Sequence, residues 1–293
     1  MRELTSPSVV KDIINTYGFR VRKALGQNFL MDANIIDKIV NAAELTPGDL
    51  VFEIGPGLGV LTQRLARSAG KVIAVEIDKN LLPILTETLT DFDNAQVVHA
   101  DALKVDFDRL AAEHTEGGFG KGAKSFKLVA NLPYYITTPI LMHLLTSGFN
   151  FDCLVVMMQK EVAERLQASP GGKDYGSLSI AVQYYTVPEI VTRVPKTVFF
   201  PAPDVESAVI QLTRRKRPPV TLESEEVFFK VVRAAFGQRR KTLLNSLTGS
   251  GLAEKETWIK ILEEAAIDPT RRGETLTIED FANLANTYHR YQE

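Results

Sequence analysis

The run Asn131-Leu132-Pro133-Tyr134-Tyr135 gathers residue types that recognise a planar amine. Asn131 carries an amide oxygen that accepts a hydrogen bond, Leu132 a carbonyl next to a proline, and Tyr134 a flat face on which a ring can stack. An apolar run at residues 126–130 precedes them, so the motif is expected where a buried strand ends and Pro133 turns the chain. Ligands of an open α/β sheet bind outside the carboxyl ends of its strands. An amide, a carbonyl and a ring converging there suit a nucleobase with an exocyclic amino nitrogen.

A second constellation points to what reacts with such a base. Residues 50–54 lead into Gly55-Pro56-Gly57-Leu58-Gly59, after which Val60, Leu61, Leu65 and Ala66 resume a helical period. A dinucleotide fingerprint wants glycine at its first, third and sixth positions, and Val60 holds the sixth here. Glu53, just before the turn, is expected to repel a pyrophosphate and favour a cation. Glu76 ends the next strand about 20 residues on, the spacing at which an acid hydrogen-bonds a ribose. A sulfonium nucleoside meets these demands, whereas a nicotinamide cofactor is disfavoured by Val60. The glycine-rich run 116–122 lacks the Gly-Lys-Ser/Thr ending of a phosphate loop and reads as a flexible surface loop.

These residues need a scaffold of strands and helices in alternation. Strands are expected at residues 50–54, 71–76, 96–99, 126–130 and 153–158, their ends carrying Gly55, Glu76, Asp101 and Asn131. That alternation predicts a parallel sheet covered by helices on both faces. A strand pair at 190–194 and 207–212 suits the edge of the sheet. A helical arm with Val9, Val10, Ile13 and Ile14 on one face precedes the sheet, and Asp32 is placed to cap the next helix. Beyond the basic, doubly proline stretch 214–219 every periodic segment is helical. The expected domains are therefore 1–217, catalytic, and 218–293, helical.

Composition sets the outer bounds. The chain has 293 residues, 45% hydrophobic and 24% charged, enough apolar material for a real core. No segment is apolar for long enough to span a bilayer, and the first residues lack the core of a signal peptide, so a cytoplasmic location is expected. The single cysteine, Cys153, sits in an apolar run with nothing nearby to lower its pKa. A net charge of −2 excludes blanket attraction to nucleic acid, but basic runs at 20–23, 214–217, 239–241 and 271–272 point to a local phosphate-binding surface. Arg22, Lys23, Arg239, Arg240 and Lys241 are the residues expected to touch RNA.

Taken in order, Leu25-Gly26-Gln27-Asn28-Phe29-Leu30, residues 53–59, Glu76, Asp101, Asn131-Leu132-Pro133-Tyr134 and the run from Phe199 to Ser207 resemble the ribosomal RNA adenine dimethyltransferase family of class I S-adenosylmethionine-dependent methyltransferases. The resemblance implies an α/β, Rossmann-like sheet, parallel with an antiparallel edge strand, plus a small C-terminal all-helical domain. It implies that Asn28 and Leu30 close over the cofactor, that Gly55 and Gly57 let its methionine portion pass, and that Glu76 binds its ribose and Asp101 its adenine. It puts Asn131, Leu132, Pro133 and Tyr134 around the target adenine, with Asn131 also at the cofactor and Phe199 stacking from the other face. The implied partner is 16S rRNA within an immature small ribosomal subunit, methylated at two adjacent adenines by a monomer that needs no metal. The large-subunit, 23S-directed relatives and a non-catalytic assembly checkpoint are the alternatives. Tyr135 departs from the asparagine many members carry.

Overall fold

The computed structural model describes residues 4–20, 22, 25–115 and 124–292; Lys23 and the glycine-rich run 116–122 lie outside the described residues. Along the chain run α1 (Pro7–Thr16), β1 (Phe29–Leu30), α2 (Ala33–Ala42), β2 (Leu50–Ile54), α3 (Val60–Ser68), β3 (Lys71–Glu76), α4 (Leu82–Thr88), β4 (Ala95–His99), α5 (Phe107–His114), β5 (Phe126–Asn131), α6 (Thr137–Thr146), β6 (Phe151–Gln159), α7 (Lys160–Leu166), α8 (Ser177–Tyr185), β7 (Thr186–Val194), β8 (Phe199–Phe200) and β9 (Ser207–Arg214), then the helices α9 (Glu225–Phe236), α10 (Leu243–Thr248), α11 (Lys255–Glu264) and α12 (Ile278–Arg290). They form two units, Met1–Ala163 with Pro188–Arg214, and Glu164–Val187 with Arg215–Glu293.

The first unit is built on a seven-stranded sheet in the order β4-β3-β2-β5-β6-β9-β7. Strands β4 to β6 in that order run parallel. The central β2, Leu50-Val51-Phe52-Glu53-Ile54, is buried at every position, as a parallel strand covered on both faces must be. Asp32 caps α2 as expected, its side chain accepting from the Ile35 N–H at 3.0 Å. The expected strand pair closes one end of the sheet: β9 is antiparallel to β6, and β7 lies beyond it as the outermost strand. The reason is burial. Residues 207–210 of β9 are buried on both faces, whereas β7 is mostly half-exposed and carries Pro188, Glu189 and Arg193, the composition of an edge strand.

Register decides what meets at the carboxyl edge. Ile54 pairs with Val75 on one side and Ala130 on the other. The next residue of each strand, Gly55, Glu76 and Asn131, therefore emerges at one level. Glu76 in turn pairs with His99, which puts Asp101 two residues beyond the same edge. Away from the sheet, β1 and β8 form a two-stranded antiparallel ribbon that pairs Phe29 with Phe200 and Leu30 with Phe199.

The second unit has its own core, in which Phe228, Val231, Trp258, Ile261, Phe281 and Leu284 are fully buried. Ser224 caps α9, and Thr277 with Asp280 forms a capping box at α12. The unit takes in more than the expected 218–293. Tyr175, Ile180 and Tyr184, from α8 and the loop before it, pack in the same core, so 164–187 belongs here rather than with the sheet.

Candidate functional site

The residues at the carboxyl edge line one open cleft, the concave kind of site in which small ligands bind. Its walls include Asn28, Leu30, Glu53, Gly55, Gly57, Glu76, Asp101 and the whole run 131–135. Gly55 adopts φ +70°, and a Cβ there would meet no protein atom within 4 Å, so the side-chain position opens into free space. Gly57, at φ +60°, has no room to spare: a Cβ would lie 3.2 Å from the Phe29 ring.

Asn131 is held in one orientation. Its Nδ2 donates to the Asn28 carbonyl at 3.2 Å, which leaves Oδ1 as the uncommitted end of the amide. The Leu132 N–H donates to the Met157 carbonyl at 3.0 Å, which fixes the chain immediately before the Leu132 carbonyl. Pro133 bends the chain into a 3-10 turn, Tyr134–Ile136. The Tyr134 hydroxyl is 2.5 Å from Ser207 Oγ, and burial raises its pKa, so it is a neutral phenol at pH 7.

The acids differ in environment. Glu76, buried, accepts from the Asp78 N–H at 2.7 Å, and burial raises its pKa against that hydrogen bond. Asp101 is half-exposed, accepts from the Leu103 N–H at 3.1 Å and has Lys104 3.8 Å away. Glu53 corrects the expectation of a standing negative charge. It is 1% exposed with Oε2 unpartnered among the described residues, and burial pushes its carboxyl up to about 8. At neutral pH it is mainly the protonated acid.

Three other expectations land elsewhere. Phe199 does not join the cleft wall: it is 4% exposed and packs in the core with Leu30, Ile36 and Val209. Arg22 faces Asp78 at 3.7 Å. In the basic run 214–217, Arg214 donates to the Phe149 carbonyl at 2.8 Å and Arg215 to the Gln183 and Thr186 carbonyls at 2.9 and 3.2 Å, so both are spent on holding backbone. Arg239, Arg240 and Lys241 are exposed between α9 and α10, with Arg239 donating to the Lys173 carbonyl. Tyr135 is 56% exposed at the cleft. Its ring lies against Gly26, where a Cβ would stand 3.3 Å from it. Sequence reasoning missed Gln27 and Asp78, which join the loop to the end of β3 at 3.1 Å; a polar side chain in a known motif and an acid two residues past Glu76 were the available signals.

With this geometry in place, comparison with known proteins is specific. The family described as ribosomal RNA adenine dimethylase matches residues 18–284. A protein of Pelotomaculum thermopropionicum called ribosomal RNA small subunit methyltransferase A is 59% identical over 286 residues, covering 97% of each chain. Among solved structures, a dimethyladenosine transferase from Plasmodium falciparum matches with a TM-score of 0.71 at 28% identity, over 87% of this chain and 95% of its own. The 23S rRNA methyltransferase ErmE matches with a TM-score of 0.66 at 27% identity, over 89% and 100%.

Proposed function

Because the chain belongs to the ribosomal RNA adenine dimethylase family, we propose that it transfers methyl groups from S-adenosylmethionine to the exocyclic nitrogens of two adjacent adenines in the 3′-terminal hairpin loop of 16S rRNA. The substrate in this reading is an immature small subunit in the cytoplasm. The observation that carries the chemistry is the Asn131 amide in the cleft lining, committed through Nδ2 to the Asn28 carbonyl so that Oδ1 is left as an acceptor, with Leu132 beside it in the same lining.

The cleft fits the cofactor. The side-chain position at Gly55 opens into free space where a methionine portion can pass along the backbone, and Glu53 Oε2 is a buried carboxyl oxygen without a partner among the described residues. In this reading Glu76 binds the ribose hydroxyls and Asp101 the adenine amino group, and Asn28 and Leu30, which line the same cleft, close over the cofactor. S-adenosylmethionine supplies a methyl group on a cationic sulfur that departs as a neutral thioether, so no strong base is required.

The protein's task is to hold the adenine nitrogen in line and to favour the charge that develops on it. Asn131 Oδ1 and the Leu132 carbonyl accept hydrogen bonds from the amino group, drawing its lone pair out of conjugation and stabilising the forming ammonium. Tyr134 stacks on the flipped base from the side that Ser207 fixes. Arg239, Arg240 and Lys241 serve the RNA backbone. Incubation with labelled S-adenosylmethionine and small subunits lacking the modification is expected to yield N6,N6-dimethyladenosine at two adjacent positions. Label appearing only in 23S rRNA, or in neither RNA, would overturn this assignment.

A further inference from the structure

Asp78 sits two residues beyond the end of β3 and is 3% exposed, yet nothing in the transfer step uses it. Its Oδ1 accepts from the Asn80 N–H at 3.1 Å and from Asn80 Nδ2 at 2.6 Å, which would suffice for a local turn. The remaining partners come from a distant part of the chain. Gln27 Nε2 donates to Asp78 Oδ2 at 3.1 Å, and the Arg22 guanidinium lies 3.7 Å from Oδ1. Gln27 Oε1 in turn accepts from the Arg22 N–H at 2.7 Å, so the Gln27 amide is locked with its nitrogen toward Asp78. On its other side the Asp78 N–H donates to Glu76 Oε1 at 2.7 Å.

Asp78 therefore joins the two walls of the cleft, the loop carrying Gly26, Gln27 and Asn28 and the strand end carrying Glu76. Burial alone would raise its pKa, but the hydrogen bonds from Asn80 and Gln27 and the charge of Arg22 outweigh it and hold the carboxyl below its ordinary value. The link is thus a buried anion that stays ionised, the strong kind of hydrogen-bond acceptor.

We propose that Asp78 is a positioning residue for cofactor retention: it clamps Arg22 and Gln27 to the Glu76 end of β3, and the strength of that clamp sets how tightly the cleft holds its cofactor. The inference rests on the cleft being the S-adenosylmethionine site. Successive methylations of one adenine require cofactor exchange between rounds, so a clamp that opens without unfolding the sheet is what the reaction needs here.

A swap of donor and acceptor tests it. In Asp78→Asn the new amide nitrogen faces the locked Gln27 nitrogen, and in Gln27→Glu two carboxylates face each other. Each single variant is expected to raise the KM for S-adenosylmethionine and the Kd for S-adenosylhomocysteine about tenfold, the loss of one charge-assisted hydrogen bond. Its kcat at saturating cofactor should fall by less than about threefold. The double variant Gln27→Glu with Asp78→Asn restores the bond with its polarity reversed, and is expected to return both constants to within about threefold of the parent. Singles that bind cofactor as the parent does, or a double no better than the worse single, would overturn the clamp. So would single variants in which kcat and Tm fall while the Kd stays fixed. A parent protein that binds no S-adenosylhomocysteine would instead remove the cofactor reading beneath it.

Discussion

The Tyr134 hydroxyl and Ser207 Oγ are 2.5 Å apart, joining the turn after β5 to the first residue of β9. The ring proposed to stack on the target base is therefore tied through its hydroxyl to the last residue of the run from Phe199 to Ser207. Ser207 is completely buried and Tyr134 half-buried, so water competes with the bond only from the Tyr134 side. Replacing Ser207 by Ala, or Tyr134 by Phe, should remove about 1 kcal/mol of positioning and lower kcat roughly fivefold. The KM for S-adenosylmethionine should not change. Because both substitutions delete one bond, the double variant is expected to lose no more than either single one. Steady-state kinetics on the three variants checks this, and additive losses would sink it.

Phe199 offers a sharp contrast, since its ring is buried with Leu30, Ile36 and Val209. Phe199→Ala should open a cavity and cost about 3–5 kcal/mol of stability. Phe199→Leu, which keeps most of the apolar volume, should retain activity within a few-fold. A ring whose main duty is stacking on a flipped adenine would behave in the opposite way, with Leu losing kcat at unchanged Tm. Thermal unfolding measured beside single-turnover rates separates the two.

The difference between these two aromatics also shows how far the amino-acid sequence can be read. β2 and β3 were legible to the residue because strands buried on both faces leave uninterrupted apolar runs. With their ends known, Gly55, Glu76 and Asn131 had to meet at one edge. Phe199 was ambiguous because β1 and β8 are two residues long, too short for any period, and pair across most of the chain. Helix α8 escaped notice for a related reason: Ser179, Ile180, Ala181, Val182 and Tyr184 are all buried, so the segment has no polar face to mark its turns. The basic runs looked alike as strings, and only tertiary structure separates Arg215, which holds carbonyls, from Arg240, which is exposed.

That separation has a measurable consequence in salt. Arg239→Glu with Arg240→Glu should weaken binding to small-subunit RNA and reduce the slope of log K against log salt by about 0.7–0.9 for each phosphate no longer neutralised. Arg215→Ala strands the Gln183 and Thr186 carbonyls and should lower Tm while leaving the slope intact. Fluorescence titrations at several salt concentrations check the first, and calorimetry the second. An unchanged slope in the charge-reversal variant would remove residues 239–240 from the RNA surface.

Glu53 couples the cleft to pH. Burial, with the nearby charge of Glu76, raises its carboxyl from 4.5 to about 8 in the folded protein. Below pH 4.5 both folded and unfolded chains carry the proton, and Glu53 contributes no slope. Between 4.5 and 8 the unfolded chain has released it while the folded chain retains it, so stability should fall as pH rises, by at most about 1.4 kcal/mol per unit. Above 8 the folded carboxyl ionises too and the slope vanishes. Glu53→Gln should flatten this part of the profile, and denaturant unfolding across pH 5–9 would reveal it. A cation in the cleft favours the ionised form, so cofactor binding at pH 7 should expel a proton from the parent and none from the Gln variant. Titration calorimetry in buffers of different ionisation enthalpy measures that proton directly; equal release from both proteins would show that Glu53 is not its source.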